Sequence, residues 1–188
     1  MANPGEELVD GKGGKLVFSQ TAGSTGGALL EMNVWYKPNS SPPPAHYHPF
    51  QEEHFQVISG RFHTIIDGHE QSYQPGESFT VPPGVHHAMY NNSQEVGQLL
   101  WQTRPALETE VFFETLWGLA RDGKVNDQGV PNILQVAVIG QDFNKEFRLV
   151  KPSYSILKIL FAVLGPLGRL IGYQSRYPAY SDTGIEGS

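Results

Sequence analysis

The chain has 188 residues, 39% of them hydrophobic and 17% charged, which suits one compact domain, or a small domain with an appendage, and excludes intrinsic disorder. Its net charge of −6 comes without the clustered Lys and Arg that a phosphate backbone requires, so no nucleic-acid partner is expected. There is no cysteine, which excludes a disulfide framework, a thiolate zinc site and a cysteine nucleophile.

Residues 1–27 read as a strand-and-turn region that packs on the β-rich segment next in the chain. Met1 to Asp10 carries Glu6, Glu7 and Asp10 and has no apolar run, so it is not a signal peptide and a cytoplasmic protein is expected. A weak strand covers Lys15–Ser19. The glycine-rich stretches around it, Gly11 to Lys15 and Gly23 to Gly27, lack the G-x-x-x-x-G-K-[ST] pattern of a phosphate loop and read as turns.

Residues 28–104 are rich in short β-like runs. Strands are expected at Ala28–Tyr36, Glu53–Ser59, Arg61–Ile66, Glu70–Tyr73, Ser78–Val81, His86–Asn91 and Val96–Thr103. Asp67-Gly68 is a tight-hairpin signal, and Pro75-Gly76 and Pro82-Pro83-Gly84 punctuate the rest. In Glu53–Ser59 the alternation puts Glu53, Phe55 and Val57 on one face. This turn density predicts a mainly β architecture, an antiparallel sandwich or barrel. Met32, Val34, Phe55, Val57, Phe62, Thr64, Phe79 and Met89 are its candidate interior.

Residues 105–188 switch to helical spacing. Leu107, Val111, Phe112, Leu116 and Leu119 predict a helix that stops near Asp122-Gly123. A second starts at Pro131, with Leu134 and Val138 in its apolar stripe. A third runs from Tyr154 to about Leu164, is broken at Gly165-Pro166 and resumes towards Gly172, before a polar, turn-rich tail from Tyr173. The third helix is apolar nearly all round, so it is expected to be buried against the barrel or a second copy, with contact to a membrane surface as the other reading. Lys158, Pro166 and Arg169 interrupt it, and no membrane span is expected.

The chemistry lies in two histidine blocks. His46 and His48 are two residues apart and share a side of an extended segment. Glu53 joins them if the chain bends through Pro49–Glu52, and His87 must fold over from a distant strand. Three imidazoles and one carboxylate suit Fe(II), Mn(II), Ni(II), Co(II), Cu(II) or Zn(II), whereas Mg(II) and Ca(II) ask for more oxygen ligands. Four protein ligands in an octahedral field leave two positions for substrate and dioxygen or water. His54, His63, His69, His86 and Glu52 read as solvated neighbours.

These residues resemble the cupin superfamily. Its first motif, G-x5-H-x-H-x(3,4)-E-x6-G, is matched by His46, His48, Glu53 and Gly60, with Ser40 where the opening glycine stands. Its second, G-x5-P-x-G-x2-H-x3-N, is matched at every fixed position by Gly76, Pro82, Gly84, His87 and Asn91. The resemblance covers residues 28–104 and implies an antiparallel β jelly-roll barrel holding the metal in one end, with residues 105–188 as a helical C-terminal extension.

Resemblance to the quercetinase-like dioxygenases within that superfamily implies a metal-dependent dioxygenase. Fe, Mn or Ni would be the leading metals, and Glu53 would double as proton acceptor. Its substrate would be a small, largely apolar or aromatic oxygenated molecule. Two alternatives stand beside it: a non-redox isomerase or cyclase, and a ligand-binding sensor without turnover. A homodimer is expected, because the family pairs barrels and the apolar C-terminal helices need cover.

Overall fold

Two antiparallel sheets face each other, and the helices close one end of the space between them. The computed structural model describes residues 2–181. In order these are β1 (Glu7–Val9), β2 (Lys15–Gln20), α1 (Ala22–Thr25), β3 (Leu30–Tyr36), β4 (His46–Tyr47), β5 (Glu52–Ser59), β6 (Phe62–Ile66), β7 (His69–Tyr73), β8 (Ser78–Val81), β9 (His87–Asn91), β10 (Gly97–Arg104), α2 (Thr109–Arg121), α3 (Ile133–Asp142), β11 (Arg148–Leu149), α4 (Tyr154–Leu170) and α5 (Pro178–Ser181). The larger sheet runs β1-β2-β3-β10-β5-β8 and the smaller β11-β4-β9-β6-β7, which together form a jelly roll. Within the tail expected from Tyr173, α5 is a short helix, and residues 182–188 lie outside the described residues.

Alternation decides which side of each strand is dry. On β5, Glu53, Phe55 and Val57 are buried while Glu52, Gln56 and Ile58 are exposed. Phe55, Val57, Phe62, Phe79, Val81, Met89 and Leu99 from both sheets make one core between them. The β6–β7 hairpin turns on Asp67 and Gly68, both at positive φ (50° and 81°), the conformation that matches strand twist in a two-residue loop. At Gly60 the chain passes so close to Gly97 that an added Cβ would lie 2.6 Å from its Cα, at a φ of 80°. Where the opening glycine of the first motif is replaced, Asn39 takes the left-handed φ of 47° and the Ser40 hydroxyl accepts from the Asn91 N–H at 2.9 Å.

The helical segment is integral to the core. Phe112, Phe113 and Leu119 of α2 and Ile139 of α3 pack with Leu16, Phe18, Leu30, Met32 and Val34 of β2 and β3. The α3 N-terminus is capped by Asn132, whose side-chain oxygen accepts from the N–H groups of Leu134 and Gln135, both at 3.1 Å.

One expectation is corrected. Helix α4 is unbroken from Tyr154 to Leu170 and runs through Gly165 and Pro166. The side-chain-free backbone at Gly165 and Gly168 seats it tightly on Gln141, Val138 and the Leu134 carbonyl of α3, and this packing overrides the loss of one backbone donor at Pro166. Within one chain, Leu157, Phe161, Gly165 and Gly168 of α4 face inward, while Ile159 and Leu170 are 71% and 84% exposed. Among the described residues no helix is long and apolar enough to cross a membrane.

Candidate metal centre

The register of the smaller sheet brings two histidines together directly. Strands β4 and β9 pair antiparallel with His46 opposite His87, and His48 follows β4 by one residue. Ligand atoms of His46, His48 and His87 all lie within 4.8 Å of one another. Glu53 reaches towards them from β5 in the opposite sheet. Its Oε2 lies 3.0 Å from His87 Nε2 and 3.2 Å from His48 Nε2, and its Oε1 accepts from the Trp101 indole N–H at 3.1 Å.

Each imidazole is oriented through its other nitrogen. The Nδ1 atoms of His46, His48 and His87 contact the backbone carbonyls of Pro44 (2.9 Å), Glu146 (2.5 Å) and Val85 (3.1 Å). A carbonyl only accepts, so Nδ1 carries the proton in all three, and Nε2 is the atom presented to the centre. Phe147 stacks on the His46 ring at 4.7 Å and fixes its plane. The buried Nε2 of His48 and Oε2 of Glu53 make no hydrogen bond. Two lone-pair atoms facing each other 3.2 Å apart in a dry site favour a cation between them. The donor set and its orientation therefore fit a divalent transition metal.

The electrostatics are those of a coupled cluster. Burial, and then the neighbouring His87 and His48, lower the His46 pKa to about 3. Burial also lowers His48, aided by His87 and opposed by Glu53. His87 is raised: burial acts against its charge, but the Glu53 carboxylate beside it prevails. Burial alone would raise Glu53, yet His48 and His87 outweigh it and lower its pKa to about 2.

The site opens on a cavity of about 320 Å³. Its walls are apolar: Phe55, Met89 and Trp101 from the barrel, Phe112, Phe113, Leu116 and Ile139 from α2 and α3, and Leu157 and Phe161 from α4. Tyr36 also lines it; burial, and then the Glu53 charge, hold that phenol well above its usual pKa.

The candidate ligands His46, His48 and His87 are thus gathered in one cluster, with Glu53 against two of them. The histidines read as solvated neighbours lie elsewhere: His54 contacts Thr80, His63 pairs with Glu70, and His86 packs on Tyr47. Arg61 and Arg104 bond Asn92 and Gln102 on the surface. The cation at the cavity is Arg148, held over the Tyr154 ring at 3.9 Å. Sequence reasoning does not find Arg148, Glu146, Phe147 or the helical half of the wall. The signal lies in the aromatic density of 112–117 and 143–161, which periodicity reads only as core.

Residues 33–103 match the family model described as Cupin domain. A curated protein of Arthrobotrys oligospora described as an oxidoreductase is 28% identical over 151 residues, which is 74% of this chain and 59% of that protein. The chain therefore spans under two thirds of its curated relative. Among solved structures, an RmlC-like cupin from Shewanella frigidimarina is similar at 26% identity, TM-score 0.48, covering 56% of this chain and 88% of that one. KdgF from a Halomonas species is similar at 15% identity, TM-score 0.46, covering 52% and 84%.

Proposed function

Because the chain carries a domain of the cupin superfamily, we propose that it is a metal-dependent dioxygenase acting on a small, uncharged, aromatic or otherwise apolar molecule that bears an oxygen. One observation carries this reading: three imidazoles, each locked by a carbonyl with Nε2 presented, stand at the end of an almost wholly apolar cavity. His46, His48 and His87 would hold the metal, with Glu53 as the fourth ligand on the side of His48 and His87. Fe, Mn or Ni would supply the redox and Lewis-acid chemistry that lets dioxygen attack the carbon framework of a substrate held through its oxygen. Both oxygen atoms enter the product, so no external reductant is required.

The chain's own residues set the remaining steps. The aromatic wall holds the substrate and excludes water, which strengthens every charge interaction inside. Glu53 Oε2 accepts the proton of a substrate hydroxyl, and Trp101, by holding Oε1, keeps that oxygen aimed. The relative described as an oxidoreductase supports this class of chemistry.

The test is dioxygen uptake by the metal-loaded full chain with flavonols, catechols and β-diketones. The expected result is uptake with isotope from labelled dioxygen in the product, and a loss of kcat of roughly 10²–10⁴-fold in Glu53→Gln. Turnover that proceeds without dioxygen would establish isomerase or cyclase chemistry instead. Tight ligand binding with no product would establish a binding protein.

A further inference from the structure

Strand β3 sends every second residue into the barrel. Leu30, Met32 and Val34 are buried there, and the same alternation turns Tyr36 inward. Its ring meets the ring of the fully buried Phe62 edge-on, with centroids 5.3 Å apart. Phenylalanine would fill that place equally well. What tyrosine adds is a hydroxyl, and a phenol inside a fold ordinarily finds a hydrogen-bond partner.

The Tyr36 hydroxyl has none among the described residues; outside the sheet ladder, Tyr36 is bonded through its backbone carbonyl, which accepts from the Asn91 amide at 3.4 Å. Nor is the hydroxyl one of the unpartnered polar atoms sealed inside the fold. It therefore faces open space, and the open space that Tyr36 lines is the cavity beside the three imidazoles. Burial, and then the Glu53 charge, keep the phenol neutral, so it is a donor and stays one. The Trp101 indole N–H in the same wall is already bonded to Glu53.

An unpartnered donor in an apolar cavity selects a ligand that carries an acceptor. Tyr36 stands on β3 and Glu53 on β5, with β10 between them, so the two act at separate places on the ligand. The carboxylate accepts a proton and the phenol offers one. A ligand that satisfies both has a hydroxyl for Glu53 and a second oxygen with a free lone pair for Tyr36.

We propose that Tyr36 is a specificity-determining residue, which donates a hydrogen bond to a second oxygen, such as a ketone carbonyl, of an aromatic ligand whose hydroxyl lies on the Glu53 side. The assignment rests on the proposed function in taking the cavity as the ligand site and Glu53 as the acceptor of its hydroxyl. It does not depend on reaction with dioxygen.

The experiment is calorimetric titration of the metal-loaded full chain, without dioxygen, with meta-hydroxyacetophenone and with meta-ethylphenol. The second keeps the ring and the hydroxyl and has a methylene in place of the carbonyl. Tyr36→Phe, which keeps the ring against Phe62, is expected to bind the ketone about tenfold more weakly and the ethylphenol as the wild type does. A packing defect would weaken both ligands alike. Equal loss on both, or loss on neither, would overturn the proposal, and so would a wild type that binds neither ligand. The selective loss without any dioxygen uptake would refute the dioxygenase reading and leave the role of Tyr36 standing. Dioxygen uptake beside unselective binding by Tyr36→Phe would refute the role of Tyr36 alone.

Discussion

The barrel segment, residues 28–104, and the helical segment C-terminal to it contribute to one site in different ways. The barrel supplies every candidate ligand: His46, His48 and His87 from one sheet and Glu53 from the other. The helical segment supplies no ligand, yet it holds the His48 ring through the Glu146 carbonyl, stacks Phe147 on His46 and makes much of the cavity wall. The candidate donors are thus written in short motifs, while much of the cavity wall comes from a segment with no motif. Such a division lets the wall change while the donors stay.

The largest test of that division is Phe112→Ala. Phe112 is buried between α2, α3 and the β2–β3 face, and its removal is expected to cost about 3–5 kcal/mol in denaturant unfolding. A cost below about 1 kcal/mol would show that the helices merely rest on the barrel. A smaller effect is expected from Leu116→Trp, which adds bulk to the helical wall of the cavity. Affinity for an aromatic ligand should fall about tenfold while metal content stays unchanged, about 1.4 kcal/mol. Loss of metal together with ligand would mean that the two roles are not separable.

Two buried glutamates make the same comparison electrostatically. Glu53 in the barrel is held ionised by imidazoles. Glu114 on α2 is raised, chiefly by burial, against the hydrogen bond from Ser181. A raised folded-state pKa means that the stability this carboxyl contributes is present below its unfolded pKa and is lost as pH rises through the folded value. The unfolding midpoint of the wild type relative to Glu114→Gln should therefore fall as pH rises above the usual carboxylate range. A difference that does not vary with pH would contradict the assignment.

What can be read from the sequence depends on how local each contact is. The i, i+2 pair His46 and His48, the alternation of Glu53, Phe55 and Val57, and the Asp67-Gly68 turn depend on a few adjacent residues, and they are legible. The link between His48 and Glu146 spans 98 positions, and β11 pairs with β4 across a similar distance, so neither leaves a local trace. At Pro166 local propensity argues for a break in α4, whereas the glycine contacts with α3 keep the helix continuous. The outward stripe of α4 escapes the sequence because periodicity shows that a helix is apolar and not what covers it.

The most direct measurement is the metal content of the full chain purified from metal-replete medium, by elemental analysis, beside His46→Ala and His87→Ala. The geometry predicts a stoichiometric divalent transition metal in the wild type, lost in both variants while the circular dichroism spectrum is retained. A wild-type chain that binds no such metal when one is supplied, or variants that keep it in full, would contradict the account.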